Sequence, residues 1–121
     1  MPHSLNIQDF MTQHEQGIPV LDVRSPGEFQ HGRIPTAINM PLFNNEERAV
    51  VGTLYKQQGR EQAIEEGLKI VGPKLYDFVQ QAKSQAKDGK VLVHCWRGGM
   101  RSQSMATLLR TSELKVSTLE G

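Results

Sequence analysis

KVLVHCWRGGMRS, residues 90–102, is the stretch that decides the fold of this chain. Lys90–His94 is short, apolar and β-branched, which is typical of a strand buried on both faces of a parallel sheet. Ile18–Val23 is a second run of the same kind. A loop with two glycines follows His94, and a helical pattern begins at Arg101. The sequence therefore predicts a central strand, a tight loop and a helix in direct succession.

Strand and helix patterns alternate along the rest of the chain. Ala37–Met40 and Lys115–Leu119 are weaker strand candidates. Apolar spacing, capping residues and terminating glycines predict six helices: Leu5–Gln16, a short helix after Ser25, a helix capped by Asn45 and running to Gln58, Glu61–Val71, Lys74–Ala86 and Arg101–Arg110. We therefore expect an α/β fold in one domain, residues 1–121, with a central parallel sheet, helices on both faces and a helical insertion at about 44–88.

Composition excludes several classes of protein. The 121 residues suffice for one domain, and the net charge of +1 gives no overall electrostatic case for a nucleic-acid or membrane-surface protein. No apolar run approaches the roughly 18 residues that span a bilayer. The single cysteine excludes an internal disulfide and a Cys-rich zinc site, and it points to a reducing compartment, so we expect a cytoplasmic protein. The histidines lack metal-ligand spacing, and neither a metal nor a cofactor is predicted.

Cys95 is the candidate catalytic residue. It lies where a buried strand ends and a helix begins, and reactive groups in open α/β sheets gather at the carboxyl ends of strands. Gly98 and Gly99 allow a turn that aims backbone N–H groups at an anion, and the helix dipole adds to the field. Arg97 and Arg101 add full charges. Because these groups favour the thiolate over the thiol, we predict nucleophilic attack by Cys95 on an anionic donor.

The rest of the loop completes the predicted substrate-binding set: Trp96, Arg97, Gly98, Gly99, Met100 and Arg101. Trp96 either stacks on a nucleobase or packs against the rim of the loop. His94 precedes the cysteine on a strand, so its side chain points to the opposite face, and we expect it to hydrogen-bond within the scaffold. A buried structural cysteine is the competing interpretation, but such a thiol needs neither two arginines nor two glycines beside it.

Three further segments carry a resemblance to a known family. LDVRSPGEF at 21–29 and HGRIPTAINMP at 31–41 resemble the signature of rhodanese-like domains, and LEG at 119–121 resembles the residues after that family's last strand. Arg33 and Thr36 depart from the usual histidine and glycine. The resemblance covers nearly the whole chain and implies a rhodanese-like fold. It includes Arg24 and Glu28, which we expect to form a structural ion pair.

A narrower resemblance rests on the loop 95–102 together with NNEER at 44–48 and VGTLYKQQG at 51–59. These segments resemble the N-terminal domain of the tRNA 2-selenouridine synthase family. That resemblance implies a transferase whose Cys95 carries sulfur or selenium as a persulfide or perselenide, for the conversion of 2-thiouridine to 2-selenouridine at the tRNA wobble position. It implies selenophosphate or a sulfur-donor anion as the donor.

The same family has a second domain with a P-loop. No G-x-x-x-x-G-K-[ST] motif occurs in this sequence. We therefore expect the chain to be the N-terminal part of a longer protein whose C-terminal domain contains the P-loop, with tRNA as a partner of the full-length protein; the alternative is a stand-alone relative of the family.

Two other functional classes fit parts of the sequence. Five residues separate Cys95 from Arg101, and Ser102 follows, which is also the signature of cysteine-dependent phosphatases and arsenate reductases of the rhodanese-related type. No acidic residue falls in the loop, where many such phosphatases have one. A non-catalytic binding module is the third class, and Cys95 argues against it. Basic side chains that could contact tRNA interleave with glutamates, which favours a solvated helical face for Lys56, Arg60, Lys69 and Lys74.

Overall fold

A five-stranded parallel sheet forms the centre of the computed structural model, which describes residues 4–95 and 99–120. The strands are β1 (Ser4–Leu5), β2 (Val20–Asp22), β3 (Ile38–Asn39), β4 (Lys90–His94) and β5 (Lys115–Leu119). Their spatial order is β1-β5-β4-β2-β3, and every neighbouring pair is parallel. The strand predicted to be central, β4, is therefore flanked on both sides, with Val93 in register with Leu21 of β2 and Thr118 of β5.

The helices connect these strands. They are α1 (Ile7–Glu15), α2 (Pro26–His31), α3 (Asn45–Gln58), α4 (Arg60–Val71), a 3₁₀ turn at Gly72–Lys74, α5 (Leu75–Gln85) and α6 (Met100–Thr111). No helix within the described parts of the chain combines the length and the apolar character needed to cross a membrane.

Successive residues of β4 point to opposite faces of the sheet, and each face has its own apolar core. Val91 and Val93 pack with Phe78 of α5 and Leu109 of α6. On the other face, Leu92 packs in a smaller cluster with residues that include Phe10, Ile18 and Val20. The predicted α/β fold, with a parallel sheet covered by helices on both faces, is thus confirmed.

The start of the first predicted helix differs from the prediction. Ser4 and Leu5 form an edge strand that pairs with the end of β5, whereas the sequence predicts a helix from Leu5. Asn6 then caps α1, because its side-chain oxygen accepts the Asp9 N–H at 2.8 Å. Ile7, predicted to lie on the apolar stripe of this helix, is 54% exposed. The edge strand is short, and its two residues carry no alternating pattern that would reveal it.

The predicted helical stretch at 44–88 contains α3, α4 and α5, which differ in how they pack. α5 belongs to the main core, whereas α3 has no buried residue and α4 buries only Ala63 among the described residues. The cap of α3 is Asn44, one residue before the predicted Asn45, whose side chain instead accepts the Gly27 N–H. The hairpin formed by α3 and α4 therefore packs against the domain, and part of its apolar surface remains exposed to solvent.

Candidate functional site

Cys95 follows β4 directly and lies half-buried at the carboxyl end of the central strand. Its sulfur accepts a hydrogen bond from the backbone N–H of Ser102 at 3.4 Å. Ser102 is the third residue of α6, so this N–H is one of the donors that a helix leaves unsatisfied in its first turn. The Cys95 sulfur thus takes the place that a capping side chain usually occupies, and it faces the positive end of the helix dipole.

Gly99 makes this close approach possible. Its backbone is left-handed, with φ of 61° and ψ of 17°, and it precedes α6 without offering a side-chain cap. A Cβ atom at this position would lie 3.3 Å from the hydroxyl oxygen of Ser102. Glycine is therefore favoured both by the backbone conformation and by the packing of the serine against the loop.

The Ser102 hydroxyl lies between the sulfur and the loop. Its oxygen is 3.2 Å from Cys95 Sγ, and the hydroxyl donates to the Gly99 carbonyl at 3.0 Å. In the thiol form the S–H donates to this oxygen. When the sulfur is ionised, the hydroxyl can turn and donate to it, because a serine hydroxyl is both donor and acceptor. The backbone N–H and the hydroxyl of one residue can then stabilise the same negative charge.

Arg101 pairs with Glu28, the residue for which the sequence predicts an ion pair with Arg24. Its guanidinium donates to both carboxylate oxygens of Glu28, from Nη1 at 2.7 Å and from Nη2 at 3.2 Å. Arg48 of α3 approaches the same carboxylate, with Nε 3.8 Å from Oε1. The predicted ion pair between Arg24 and Glu28 is therefore wrong, since Glu28 joins the cysteine loop to α3 through two other arginines.

These contacts stabilise the ionised carboxylate of Glu28. Burial opposes ionisation, but the hydrogen bonds from Arg101 and Ser25 outweigh it and lower the pKa of Glu28 from 4.5 to about 2. Ser25 donates to Glu28 Oε1 from both its backbone N–H and its hydroxyl, at 3.0 and 2.9 Å, and the backbone bond is part of the capping box of α2. Glu28 is consequently an anion at neutral pH and cancels one of the two guanidinium charges beside it.

Arg24 instead binds Asp22, two residues earlier. Arg24 Nη2 donates to Asp22 Oδ2 at 2.7 Å, and both side chains are almost completely buried. The hydrogen bond to Asp22 raises the pKa of Arg24. Arg24 also donates to the Gly32 carbonyl, and Asn39 donates to the carbonyls of residues 22 and 24. This network fixes the segment after β2, from which Glu28 reaches the cysteine loop.

The sequence predicts that His94 forms a hydrogen bond within the scaffold. Its Nδ1 atom, however, is buried and has no hydrogen-bond partner among the described residues. Burial lowers the pKa of His94 and favours the neutral imidazole. No three His, Cys, Asp or Glu side chains within residues 4–95 and 99–120 form a group that could hold a metal ion.

An open cleft of about 690 Å³ leads to the sulfur. Its lining includes four of the predicted site residues: Cys95, Gly99, Met100 and Arg101. The other three predicted residues, Trp96, Arg97 and Gly98, lie outside the described part of the chain. The cleft is completed by residues of α3 and α4, the helices whose apolar side is incompletely covered.

Sequence reasoning gave no role at this site to Ser102, to Arg48, or to Glu28 as the partner of Arg101. A signal for Ser102 was present, because it directly follows the arginine of the Cys-x₅-Arg pattern. Arg48 has no signal of its own in the sequence beyond its place in a segment that resembles the family. No local pattern links Glu28 to Arg101, since 73 positions separate them.

Comparison with known proteins gives the family. The model of the rhodanese-like domain matches residues 7–121. The chain belongs to the rhodanese-like domain family. Two relatives named tRNA 2-selenouridine synthase match this rhodanese-like chain, one from Serratia proteamaculans at 39% identity over 116 residues and one from Nitrosomonas europaea at 36% over 125 residues. The matches cover 94% and 97% of the chain but only 31% of each relative's length.

Solved structures agree with this assignment. The N-terminal domain of a putative ATP/GTP-binding protein from Clostridium difficile has a TM-score of 0.88 and 38% identity, with 98% of this chain and 91% of that chain covered. A rhodanese-related protein from Thermoplasma volcanium, 23% identical, has a TM-score of 0.57 over 98% of this chain and 84% of its own. The human single-domain sulfurtransferase, 14% identical, also has a TM-score of 0.57, with 98% and 89% covered. The last two share the fold.

Replacing Ser102 by alanine should slow the alkylation of Cys95 by iodoacetamide at pH 7. The variant keeps the backbone N–H but loses the hydroxyl that can donate to the ionised sulfur. A hydrogen bond to a charged group contributes about 1.5–3 kcal/mol, so we expect a decrease of roughly tenfold. Thr107→Val is the matched control, because it removes a hydroxyl from an exposed residue of the same helix that does not line the cleft. Equal rates in the two variants would show that the hydroxyl does not act on the sulfur.

Replacing Glu28 by glutamine should make the free energy of unfolding depend less on pH in the acid range. The folded pKa of about 2 lies below the reference value of 4.5, so the stabilisation by ionised Glu28 is complete above pH 4.5 and is lost as the pH falls towards 2. Glu28→Gln should be less stable than the wild type at pH 6 and lose less stability between pH 5 and 2. Urea unfolding across this range measures both effects. The control Glu15→Gln, at an exposed residue, should show the same dependence of the free energy of unfolding on pH as the wild type. The same dependence in Glu28→Gln would contradict the lowered pKa assigned to Glu28.

Proposed function

We propose that this domain transfers sulfur or selenium through Cys95, in the conversion of 2-thiouridine to 2-selenouridine at the wobble position of tRNA. The observation that carries the proposal is the Ser102 N–H, directed at Cys95 Sγ at 3.4 Å from the first turn of a helix. This N–H is a fixed donor for negative charge that develops at the sulfur, and Cys95 lines a cleft that is open to a substrate. A chalcogen carrier requires both properties.

The loading step needs only the thiolate and a donor with a weakly bonded outer sulfur. With thiosulfate, Cys95 Sγ attacks the outer sulfur, a sulfur–sulfur bond forms, and the donor's own sulfur–sulfur bond breaks. Sulfite leaves with the electron pair, and the persulfide remains on Cys95. The Ser102 N–H and hydroxyl stabilise negative charge at the sulfur before the attack, and they remain as donors near the persulfide.

The loading of selenium requires a different sequence of bond changes. Direct transfer of selenium from selenophosphate to a thiolate would force phosphorus to leave with the electron pair. Hydrogen selenide, which hydrolysis of selenophosphate yields together with phosphate, can instead attack the Cys95-bound sulfur of the persulfide. Hydrosulfide then leaves, and a perselenide is formed without any external oxidant. We therefore place the persulfide first and the perselenide second.

The remaining roles are assigned from position. We propose that Arg101, with Gly99 and Met100 beside it and Trp96, Arg97 and Gly98 in the same loop, binds the anionic donor. Arg48 joins this set, since it lines the same cleft and lies against the Glu28 carboxylate. The two guanidinium groups and the one carboxylate leave a net positive charge, which suits an anion.

The full reaction belongs to a longer protein. We infer that this domain works with a C-terminal P-loop domain and with tRNA, in the reducing environment of the cytoplasm. The relatives named tRNA 2-selenouridine synthase are about three times as long as the matched part, which supports this inference. Further support comes from the Clostridium difficile structure, whose description is the N-terminal domain of a putative ATP/GTP-binding protein.

Intact-mass spectrometry tests the loading of Cys95. After incubation with thiosulfate and removal of the excess, the protein should gain the mass of one sulfur atom. Cyanide should remove that atom as thiocyanate, because it attacks the outer sulfur of a persulfide. Subsequent hydrogen selenide on a freshly loaded sample should replace the sulfur by selenium.

Two controls make this result specific. Cys95→Ala should gain no mass, and Thr107→Val should load like the wild type. Absence of an adduct on the wild type, combined with turnover of an aryl phosphate that Cys95→Ala lacks, would replace the proposal by a cysteine-dependent phosphatase.

A further inference from the structure

The cleft beside Cys95 is much larger than an inorganic sulfur donor requires. Its volume of about 690 Å³ lies within the range of about 300–1,000 Å³ that is typical of sites for organic molecules. Thiosulfate and selenophosphate are anions of only a few atoms and would occupy one end of it. Cys95 and the start of α6 line the cleft on one part of its surface, and residues of α3 and α4 provide the wall.

This wall is apolar and exposed to solvent. Ile64 is 40% exposed and Leu68 is 66% exposed, and Met100 at the start of α6 is 42% exposed. All three line the cleft, together with Phe43, Val51 and Val71. A small hydrated anion gains nothing from such a surface, whereas an apolar group gains affinity in proportion to the area that it removes from water.

The charged side chains that line the cleft further limit which substrate it can bind. Arg48, Lys56 and Arg101 line the cleft, and of these Glu28 contacts the two arginines, so the positive charges exceed the negative one. An anionic head attached to an apolar body matches this combination of charge and surface. A small dianion matches only part of it.

We propose that the cleft binds the apolar organic part of the molecule that exchanges sulfur with Cys95. The inference rests on the proposed function and deepens it by naming the substrate class: an anionic organic sulfur compound, of which an aryl thiosulfonate is a simple representative. Its sulfur-bearing end faces Cys95 and the arginines, and its ring lies against Ile64 and Leu68.

The reaction of such a donor balances without a further reagent. The Cys95 thiolate attacks the outer sulfur of the thiosulfonate, and a sulfur–sulfur bond forms at Cys95. The bond between the outer sulfur and the sulfonyl sulfur breaks, and the aryl sulfinate leaves with the electron pair. One thiolate and one thiosulfonate anion thus give one persulfide anion and one sulfinate anion.

The test compares 4-methylbenzenethiosulfonate with thiosulfate as donors, with cyanide as the acceptor. The ratio of their kcat/KM values, divided by the ratio of their rates with free cysteine, gives the preference that the protein adds. We expect a preference of at least about tenfold for the aryl donor, because burial of a ring against the cleft wall is available only to it. The double substitution Ile64→Ser/Leu68→Ser should remove most of this preference.

Two variants control for folding and for general surface effects. Tyr76→Ser removes a 73% exposed aromatic side chain of α5 that does not line the cleft, and it should leave the preference unchanged. The conservative pair Ile64→Val/Leu68→Met should retain most of it. Thermal unfolding of all variants establishes that each is folded.

The failures of the two proposals are distinguishable. If neither donor loads Cys95, the proposed function is wrong. If thiosulfate loads Cys95 but the wild type shows no corrected preference, or if the serine substitutions leave the preference intact, the inference about the cleft is wrong. A wild-type dimer that the serine substitutions dissociate, without any donor preference, would show that this wall is an interface between two copies and would also overturn the inference.

Discussion

The hydrogen bond from the Ser102 backbone N–H to the Cys95 sulfur is the interaction on which the site depends. It joins the end of the central strand to the start of α6, so the sulfur acts as the cap of the helix. The sheet supports this contact, since β4 is held by parallel neighbours on both sides and anchored in the core on both faces. Gly99 supports it as well, because its left-handed backbone lets the chain turn into the helix within reach of the sulfur. A fixed N–H needs no reorganisation when the sulfur becomes charged.

Charge around the sulfur is balanced by the segment that follows β2. Asp22 holds Arg24 in a buried pair, and Glu28 holds Arg101 and approaches Arg48. Both carboxylates come from one short stretch, which therefore neutralises part of the positive charge near the cysteine loop. Among the described groups, the most direct stabilisation of the sulfur comes from the dipoles of Ser102. The arginines set the net charge of the cleft and so bear on which substrate enters it.

Elements with a strong local signal were predictable from the sequence. β4 and β5 have the predicted bounds, and the helices at 45–58 and 60–71 end where glycines follow them. The position of Cys95 at the end of the central strand also followed from its apolar strand and its glycines. Contacts between distant segments were not predictable: the pairing of Glu28 with Arg101 depends on how α2 lies against the cysteine loop, and the edge pairing of Ser4 and Leu5 depends on β5. The pairing of Asp22 with Arg24 is local, but the sequence predicts a pair of Arg24 with Glu28 instead.

Nuclear magnetic resonance of the Ser102 amide during a pH titration tests the central claim most directly. If this N–H donates to the sulfur, its proton resonance should move downfield as Cys95 ionises, with the midpoint given by the ultraviolet absorbance of the thiolate in the same sample. The movement should be absent in Cys95→Ala, while the exposed Ser104 amide should move little in either protein. An amide of Ser102 that does not respond when the thiolate forms would contradict the account.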